Sequence, residues 1–410
     1  MKLLHVTPHL GGGVGKAHAA LRGALAEEIE QTFVLLEEPR DRRFADAIVQ
    51  SGARVFIAQN LDHVAQLAGE ADIVQFEFWN HPRLFECLAR CPFPAMRSVF
   101  WSHISGVHRP LIPHALIETA MRFVFTTEAS LDCASVAHLS AEAQSRLAVI
   151  NSGFGFPDAE RHAPARERQP VIAYLGTVDF VKMHPGFFEA LDRLAGDDVR
   201  VSVWGAFDPA GRVAARAQAM RHPGRVIFHG QTDDPRAALA AADIFFYPLR
   251  DDHYGTAENA LIEAMSLGLV PVVMDNPAEM AIVRDRETGF VARSVEECTP
   301  LIQMLLAAPD LRRDIGRNAA NAVAEARTPQ RSALDFMVVW LGLLSKSPKL
   351  FDFRTVLGDT PADWFLATQV SSEIAARPHN WVGTQQASKG SLAHFESVFA
   401  GDASLARLRA

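Results

Sequence analysis

The sequence predicts an α/β protein made of two Rossmann-like domains facing across a cleft, followed by a C-terminal extension. Three observations lead there. Short, near-continuously apolar runs alternate with helix-like stretches, which is the pattern of parallel sheets covered on both faces. The alternation occurs twice, before and after the charged, proline-containing stretch Asp158–Pro170. At 410 residues the chain also exceeds one ordinary core, so two domains are expected.

In the first half, strands are expected at Lys2–Thr7, Gln31–Leu36, Arg54–Ile57, Ile73–Phe76, Ser98–Trp101, Phe123–Thr126 and Leu147–Ile150, with helices between them, as at Lys16–Glu28. In the second half they are expected at Val171–Leu175, Val201–Trp204, Val226–Phe228, Ile244–Tyr247, Val270–Val273 and Phe290–Val291. The domains are therefore placed at 1–160 and 171–327. A segment at 328–345 holds the strongly apolar helix Ala333–Leu344. The extension, 346–410, alternates Phe351, Phe353, Trp364, Phe365, Trp381, Phe395 and Phe399 with polar residues. Those aromatics favour burial, so the extension is expected to dock on a domain.

Composition narrows the function classes. With 49% hydrophobic and 21% charged residues the chain is globular and not disordered. A formal charge of −8 argues against a general nucleic-acid binder. No apolar run is long enough to span a membrane, and Met1–Val6 reads as a first strand and not as a signal peptide. Cys87 and Cys91 lie one helical turn apart, but no second pair at zinc spacing accompanies them. The four cysteines read as ordinary thiols of a reducing compartment, with the cytoplasm as the expected location.

In open parallel sheets ligands bind at the carboxyl ends of the strands, so the loops there carry the functional signal. The first is Pro8–Lys16, rich in glycine. A Walker loop fails at Leu10 and Ala17, and a Gly-x-Gly-x-x-Gly match fails at Lys16. What remains is a loop in which Gly12, Gly13 and Gly15 let backbone amides approach a phosphate or substrate, or else a tight turn into a helix. The second, Trp101–Gly106, offers His103 as a sugar-hydroxyl contact or as a structural histidine. His108 and His114 read as surface or loop residues. The segment Glu77–His81 has the aromatic and polar mixture of a carbohydrate contact.

The third loop, Gly176–Lys182, offers Lys182 as a point charge for a diphosphate, or as a solvated surface lysine. In the fourth, His229–Gln231, Gly230 would let a flat base lie against backbone. The fifth, Tyr254–Val273, reads as a glycine-containing loop, a short helix and a turn into a buried strand. Glu258 and Asn259 stand at the start of that helix, and Glu263 shares a face with Asn259 four residues earlier. A helix N-terminus binds anions, and a carboxylate one turn on accepts from sugar hydroxyls. The arrangement suits a sugar attached to a diphosphate; the alternative is an ordinary amphipathic helix with a capping acid.

Together these loops resemble those of the nucleotide-sugar glycosyltransferases of the two-domain GT-B fold, in particular the retaining family four group, over roughly residues 1–345. Ile262–Val273 resembles that family's LEAMAxGxPVV segment, and Ala242–Pro248 its ADvfvxPS strand. The Gly11–Gly15 loop, His103, the Gly176 to Lys182 spacing and Gly230 add to the match. The helix near 333–344 resembles the final helix that crosses back to the first domain.

The resemblance implies a hexosyltransferase acting with retention and without a metal or cofactor, from a UDP-, GDP- or ADP-sugar donor. The acceptor would be a glycan, a lipid-linked sugar or a small molecule, as in polysaccharide biosynthesis. Glu263 would bind the ribose hydroxyls and His103 would sit near the anomeric carbon. Lys182 and the amides near Glu258–Ala260 would neutralise the diphosphate, with Gly176 and Thr177 in contact with substrate. Two positions depart from the family: Gly255 stands where its first glutamate is usual, and Thr177 where its arginine is usual. Glu258 or Asn259 is expected to substitute for the glutamate.

Two other functions fit the residues. Asp251, Asp252 and His253 would suit a nucleotide-sugar epimerase or hydrolase, and the two departures would suit a non-catalytic sugar- or partner-binding protein. Arg83, Arg90, Arg97 and Arg109 leave peripheral contact with the inner face of a membrane open.

Overall fold

The expected strands form two separate parallel sheets in a computed structural model that describes residues 1–39, 41–153, 155–156, 169–196, 198–256, 258–369 and 389–409. Most of the Asp158–Pro170 join, together with Trp381 and the side chain of Glu258, lies outside the described residues. The strands are β1 Lys2–Thr7, β2 Glu30–Leu35, β3 Arg54–Ile57, β4 Ile73–Phe78, β5 Ser98–Ser102, β6 Arg122–Phe125, β7 Leu147–Val149, β8 Val171–Leu175, β9 Arg200–Trp204, β10 Val226–Gly230, β11 Ile244–Tyr247, β12 Val270–Met274 and β13 Phe290–Ala292. The α-helices, in chain order, are α1 Gly12–Ala24, α2 Arg43–Gln50, α3 Leu61–Glu70, α4 Pro82–Arg90, α5 His114–Thr119, α6 Ala141–Gln144, α7 Phe187–Asp192, α8 Arg212–Gln218, α9 Pro235–Ala240, α10 Glu258–Ser266, α11 Pro277–Met280, α12 Val295–Ala307, α13 Pro309–Ala326 and α14 Pro329–Leu344. The extension adds α15 Phe353–Leu357, α16 Pro361–Ala367, α17 Leu392–Val398 and α18 Ala403–Ala406.

The chain divides into two compact units. The first comprises Met1–Ser152, Tyr254–Thr256 and Pro329–Ala410; the second comprises Gly153–His253 and Ala257–Thr328. In the first, seven strands run in the order β3-β2-β1-β4-β5-β6-β7, all parallel. The order reverses between β1 and β4, and such a switch point is where open α/β sheets bind ligands. On one face, register places Phe76, Phe100 and Phe123 side by side across β4, β5 and β6. Their rings stack at 4.8 and 5.8 Å between centroids. Phe353 of α15 meets this ladder edge-on, at 6.0 Å from Phe76 and 5.8 Å from Phe100. Trp364, Phe365 and Phe395 of the extension are buried in the same core.

The second unit holds six parallel strands in the order β10-β9-β8-β11-β12-β13, with its switch point between β8 and β11. The turn that closes α10 holds Gly268, whose φ of +83° is costly for any other residue. Gly316 of α13 packs so closely there that a Cβ would lie 2.0 Å from the Gly268 carbonyl oxygen.

Two expectations need correction. Helix α1 begins at Gly12 and not at Lys16, so most of the expected glycine loop is its first turn. The close seat explains this: a Cβ on Gly15 would stand 1.7 Å from the Leu10 carbonyl oxygen. Glu77 and Phe78 belong to β4 and are fully buried, and do not form an open loop. Among the described residues no helix is long and apolar enough to cross a membrane.

Candidate active site

In the second unit, the two strand-end loops at the switch point are tied together by backbone. After β8, the Lys182 carbonyl accepts from the Arg250 amide at 2.9 Å, and the His184 amide donates to the Pro248 carbonyl at 2.9 Å. Lys182 is half-buried, and its ammonium stands 5.7 Å from the centre of the Tyr247 ring at the end of β11. Backbone pairing therefore holds the loop bearing Lys182, while a flexible stem leaves its charge adjustable.

Three glycines line the neighbouring strand ends. Gly176 donates its amide to the Trp204 carbonyl at 3.0 Å, and Gly205 donates to the Gly230 carbonyl at 2.8 Å. Their φ angles are +154°, +146° and +76°, and a Cβ on Gly205 would sit 2.0 Å from the Gly176 carbonyl oxygen. Thr177 is exposed beside them. Helix α10 carries Asn259, half-buried, and Ala260 and Glu263, both buried, with Glu263 2% exposed. Its first residue is Glu258.

The loop between β11 and α10 is pinned by a second buried carboxylate that sequence reasoning missed. Glu279 of α11 lies 3.1 Å from His253 Nε2 and accepts from Asn276 Nδ2 at 3.1 Å; the same amide reaches the Leu249 and Arg250 carbonyls. Asp252 instead pairs with Arg250 on the surface, at 2.6 and 2.7 Å. Asp251, Asp252 and His253 therefore do not converge as a catalytic set. A cavity of about 340 Å³ opens beside α9, lined by Ser202, Trp204, His229 and Asp234 among others. The sequence-predicted residues of this unit do not line it.

In the first unit, His103 follows β5 and is one member of a buried network centred on Glu77. His103 Nε2 lies 2.8 Å from Glu77 Oε2, and His18 Nε2 of α1 lies 3.0 Å from the same oxygen. His5 Nδ1 and Gln75 Nε2 donate to Oε1 at 3.1 and 3.0 Å. Gln31 Nε2 donates to His5 Nε2 at 3.1 Å, which fixes the His5 tautomer, and Trp340 Nε1 of α14 donates to Gln75 Oε1 at 3.0 Å. Glu77 thus meets three hydrogen-bond donors, from His5, Gln75 and His103, and the close ring of His18.

Burial works against the Glu77 charge, but His18 and the donors from His103, His18 and His5 outweigh it and hold the carboxyl well below its usual range. Burial pushes His5 down to about 4 against the pull of Glu77, and lowers His103 in the same way. With Nε2–H of His103 committed to Glu77, Nδ1 is the acceptor of that ring. Gly12, Gly13 and Gly15 lie in the first turn of α1, the helix that also carries His18. His5, His18 and Glu77 gave one legible signal: polar residues on otherwise apolar elements, with Gln75 and Glu77 on one face of β4.

A sequence profile of the glycosyl transferases group 1 family matches residues 156–322. Comparison with curated proteins finds no match. Among solved structures, the chain is similar to a glycosyltransferase from Rickettsia africae (13% identity, 84% of this chain and 99% of that one, TM-score 0.67). It is also similar to HepE of Anabaena in complex with UDP (16% identity, 83% and 100%, TM-score 0.67). A third is sucrose-phosphate synthase of Thermosynechococcus elongatus (18% identity, 84% and 100%, TM-score 0.63). The architecture is that of the GT-B glycosyltransferases.

Proposed function

We propose, from the match of residues 156–322 to the group 1 glycosyltransferase family, that this protein transfers a sugar from a nucleoside-diphosphate sugar to an acceptor hydroxyl with retention of configuration. The observation that carries the reading is α10, with Asn259 and Glu263 on one face, at the carboxyl ends of a parallel sheet whose switch-point loop bears Lys182. HepE has been crystallised with UDP-glucose, which makes a UDP-sugar the first donor to try.

Glu263 accepts hydrogen bonds from the ribose hydroxyls, and Gly230 lies against the base. The diphosphate meets the N-terminal amides of α10 and the Lys182 ammonium, which supply the positive charge that a metal would otherwise bring. The acceptor hydroxyl attacks the anomeric carbon on the face from which the diphosphate departs, and a phosphate oxygen takes its proton. His103, oriented by Glu77, contacts the donor sugar.

The test is a thermal-shift panel of UDP-, GDP- and ADP-sugars on the full chain. One donor should raise Tm in wild type and much less in Glu263→Ala. The proposal fails if no nucleotide sugar binds, or if Glu263→Ala leaves binding as it was.

A further inference from the structure

A second cluster stands at the switch point of the first unit and plays no part in the donor chemistry. His9 follows β1, Glu37 follows β2, and Trp79 and His81 follow β4. His394, from α17 of the extension, joins them with its ring centroid 4.8 Å from that of His81. His81 Nε2 lies 3.4 Å from Glu37 Oε1, and His9, Glu37 and His81 each bring one polar atom within 4.8 Å of the others.

Such a set resembles a metal site, but the tautomers argue otherwise. Gly11 donates its amide to His9 Nδ1 at 3.1 Å, Arg83 to His81 Nδ1 at 3.2 Å and Gly390 to His394 Nδ1 at 3.1 Å. A neutral imidazole that accepts at Nδ1 carries its proton at Nε2. All three rings therefore carry N–H at Nε2, that of His81 directed at Glu37, and not the lone pairs a cation needs. Burial holds His394 down to about 4, so its ring is neutral at pH 7. Burial opposes the Glu37 charge, but His81, His9 and Arg83 together keep that carboxyl below its usual range. Trp79 is 2% exposed among His9, His81 and His103, and its indole N–H has no hydrogen-bond partner. A buried donor left unpaired is costly, and a ligand oxygen would relieve it.

Neutral N–H donors around one carboxylate match vicinal sugar hydroxyls, each of which both donates and accepts. An anionic ligand would meet the Glu37 charge. The extension is built into this rim: Gly390 packs where a Cβ would stand 3.0 Å from Asn80 Cβ, and Arg109 Nε donates to the Gln369 carbonyl at 2.9 Å.

We propose that His9, Glu37, His81 and His394 form a carbohydrate subsite for a neutral, hydroxyl-rich acceptor, completed by the C-terminal extension. The inference rests on the transferase reading above for the word acceptor, but not for the binding itself.

Saturation-transfer NMR on the full chain with methyl α-glucoside, methyl α-mannoside and methyl β-galactoside tests it. At least one glycoside should bind saturably, and both Glu37→Gln and His394→Ala should weaken it tenfold or more. Both variants should retain the wild-type melting profile and nucleotide-induced shift, whereas Glu263→Ala should lose the shift and keep the glycoside. The subsite is overturned if no glycoside binds, or if both variants bind it like wild type. It is also overturned if inorganic phosphate or Zn²⁺ occupies the site in a His394-dependent manner while the glycosides do not. Loss of nucleotide binding with glycoside binding intact would defeat the transferase reading and leave the subsite standing.

Discussion

His103 Nε2 and Glu77 Oε2 lie 2.8 Å apart, joining a strand-end histidine to a carboxylate buried in the neighbouring strand. Glu77 in turn is held by three further groups, so the orientation of His103 depends on the fully buried His5, His18 and Gln75. Replacing Glu77 by Gln preserves volume but leaves a neutral amide facing three donors and the His18 ring. Breaking such a buried charge network should cost ~3–5 kcal/mol. Urea unfolding measures the loss, and wild-type stability in Glu77→Gln would show the network to be incidental.

The same network sets a pH dependence. His5 falls from the ordinary 6.5 to about 4 in the folded protein, so between these values the unfolded chain binds more protons. Stability should therefore drop as pH falls from about 6.5 toward 4, by at most on the order of 3 kcal/mol from this group. Glu77, with its carboxyl depressed, acts in the same direction, its contribution being lost as pH falls below about 4.5. Melting temperatures at pH 7.5, 6 and 5 should decline in order. A profile flat across that range would contradict the assignment.

Lys182 is expected to act on the leaving group more than on ground-state binding. Lys182→Ala should lower kcat ~10²–10³-fold once donor and acceptor are known, because charge on the departing diphosphate grows in the transition state. A rise in KM with kcat preserved would assign the lysine to binding alone.

Gly316 is a packing requirement. With 2.0 Å between an added Cβ and the Gly268 oxygen, Gly316→Ala must push α13 away from the end of α10. Overpacking of this kind costs ~1–3 kcal/mol, and more where backbone cannot yield. Reduced stability accompanied by weaker nucleotide binding is the expected pair, since α10 carries Glu263.

Most of the sheet architecture was legible because the strands are apolar on both faces and short. What resisted reading was non-local. The glycines of residues 11–15 signal a loop by local chemistry, yet Gly15 is there so that α1 can lie against the Leu10 carbonyl. Glu77 reads as a strand end because a carboxylate in an apolar run is expensive; its partners are scattered from residue 5 to residue 103 and only the fold assembles them. His394 could not be connected to His81 from spacing, since more than half the chain separates them. The proposed donor-side residues were easier to group from sequence, because α10 and its flanking turn are contiguous.

The hydrogen bond from Trp340 to Gln75 carries a lesson about synthesis. An indole emerging late from the ribosome completes the polar interior of a sheet whose strands were made first. Until then the Gln75 amide oxygen lacks its donor and the apolar seat of α14 stays open. A nascent chain halted before residue 329 would hold every strand of that sheet and still expose its interior, a ready substrate for chaperones and proteases. The order in which this protein can be made safely is therefore set by its penultimate segment, and gene fusions or truncations at the junction after Thr328 would orphan the part they were meant to isolate.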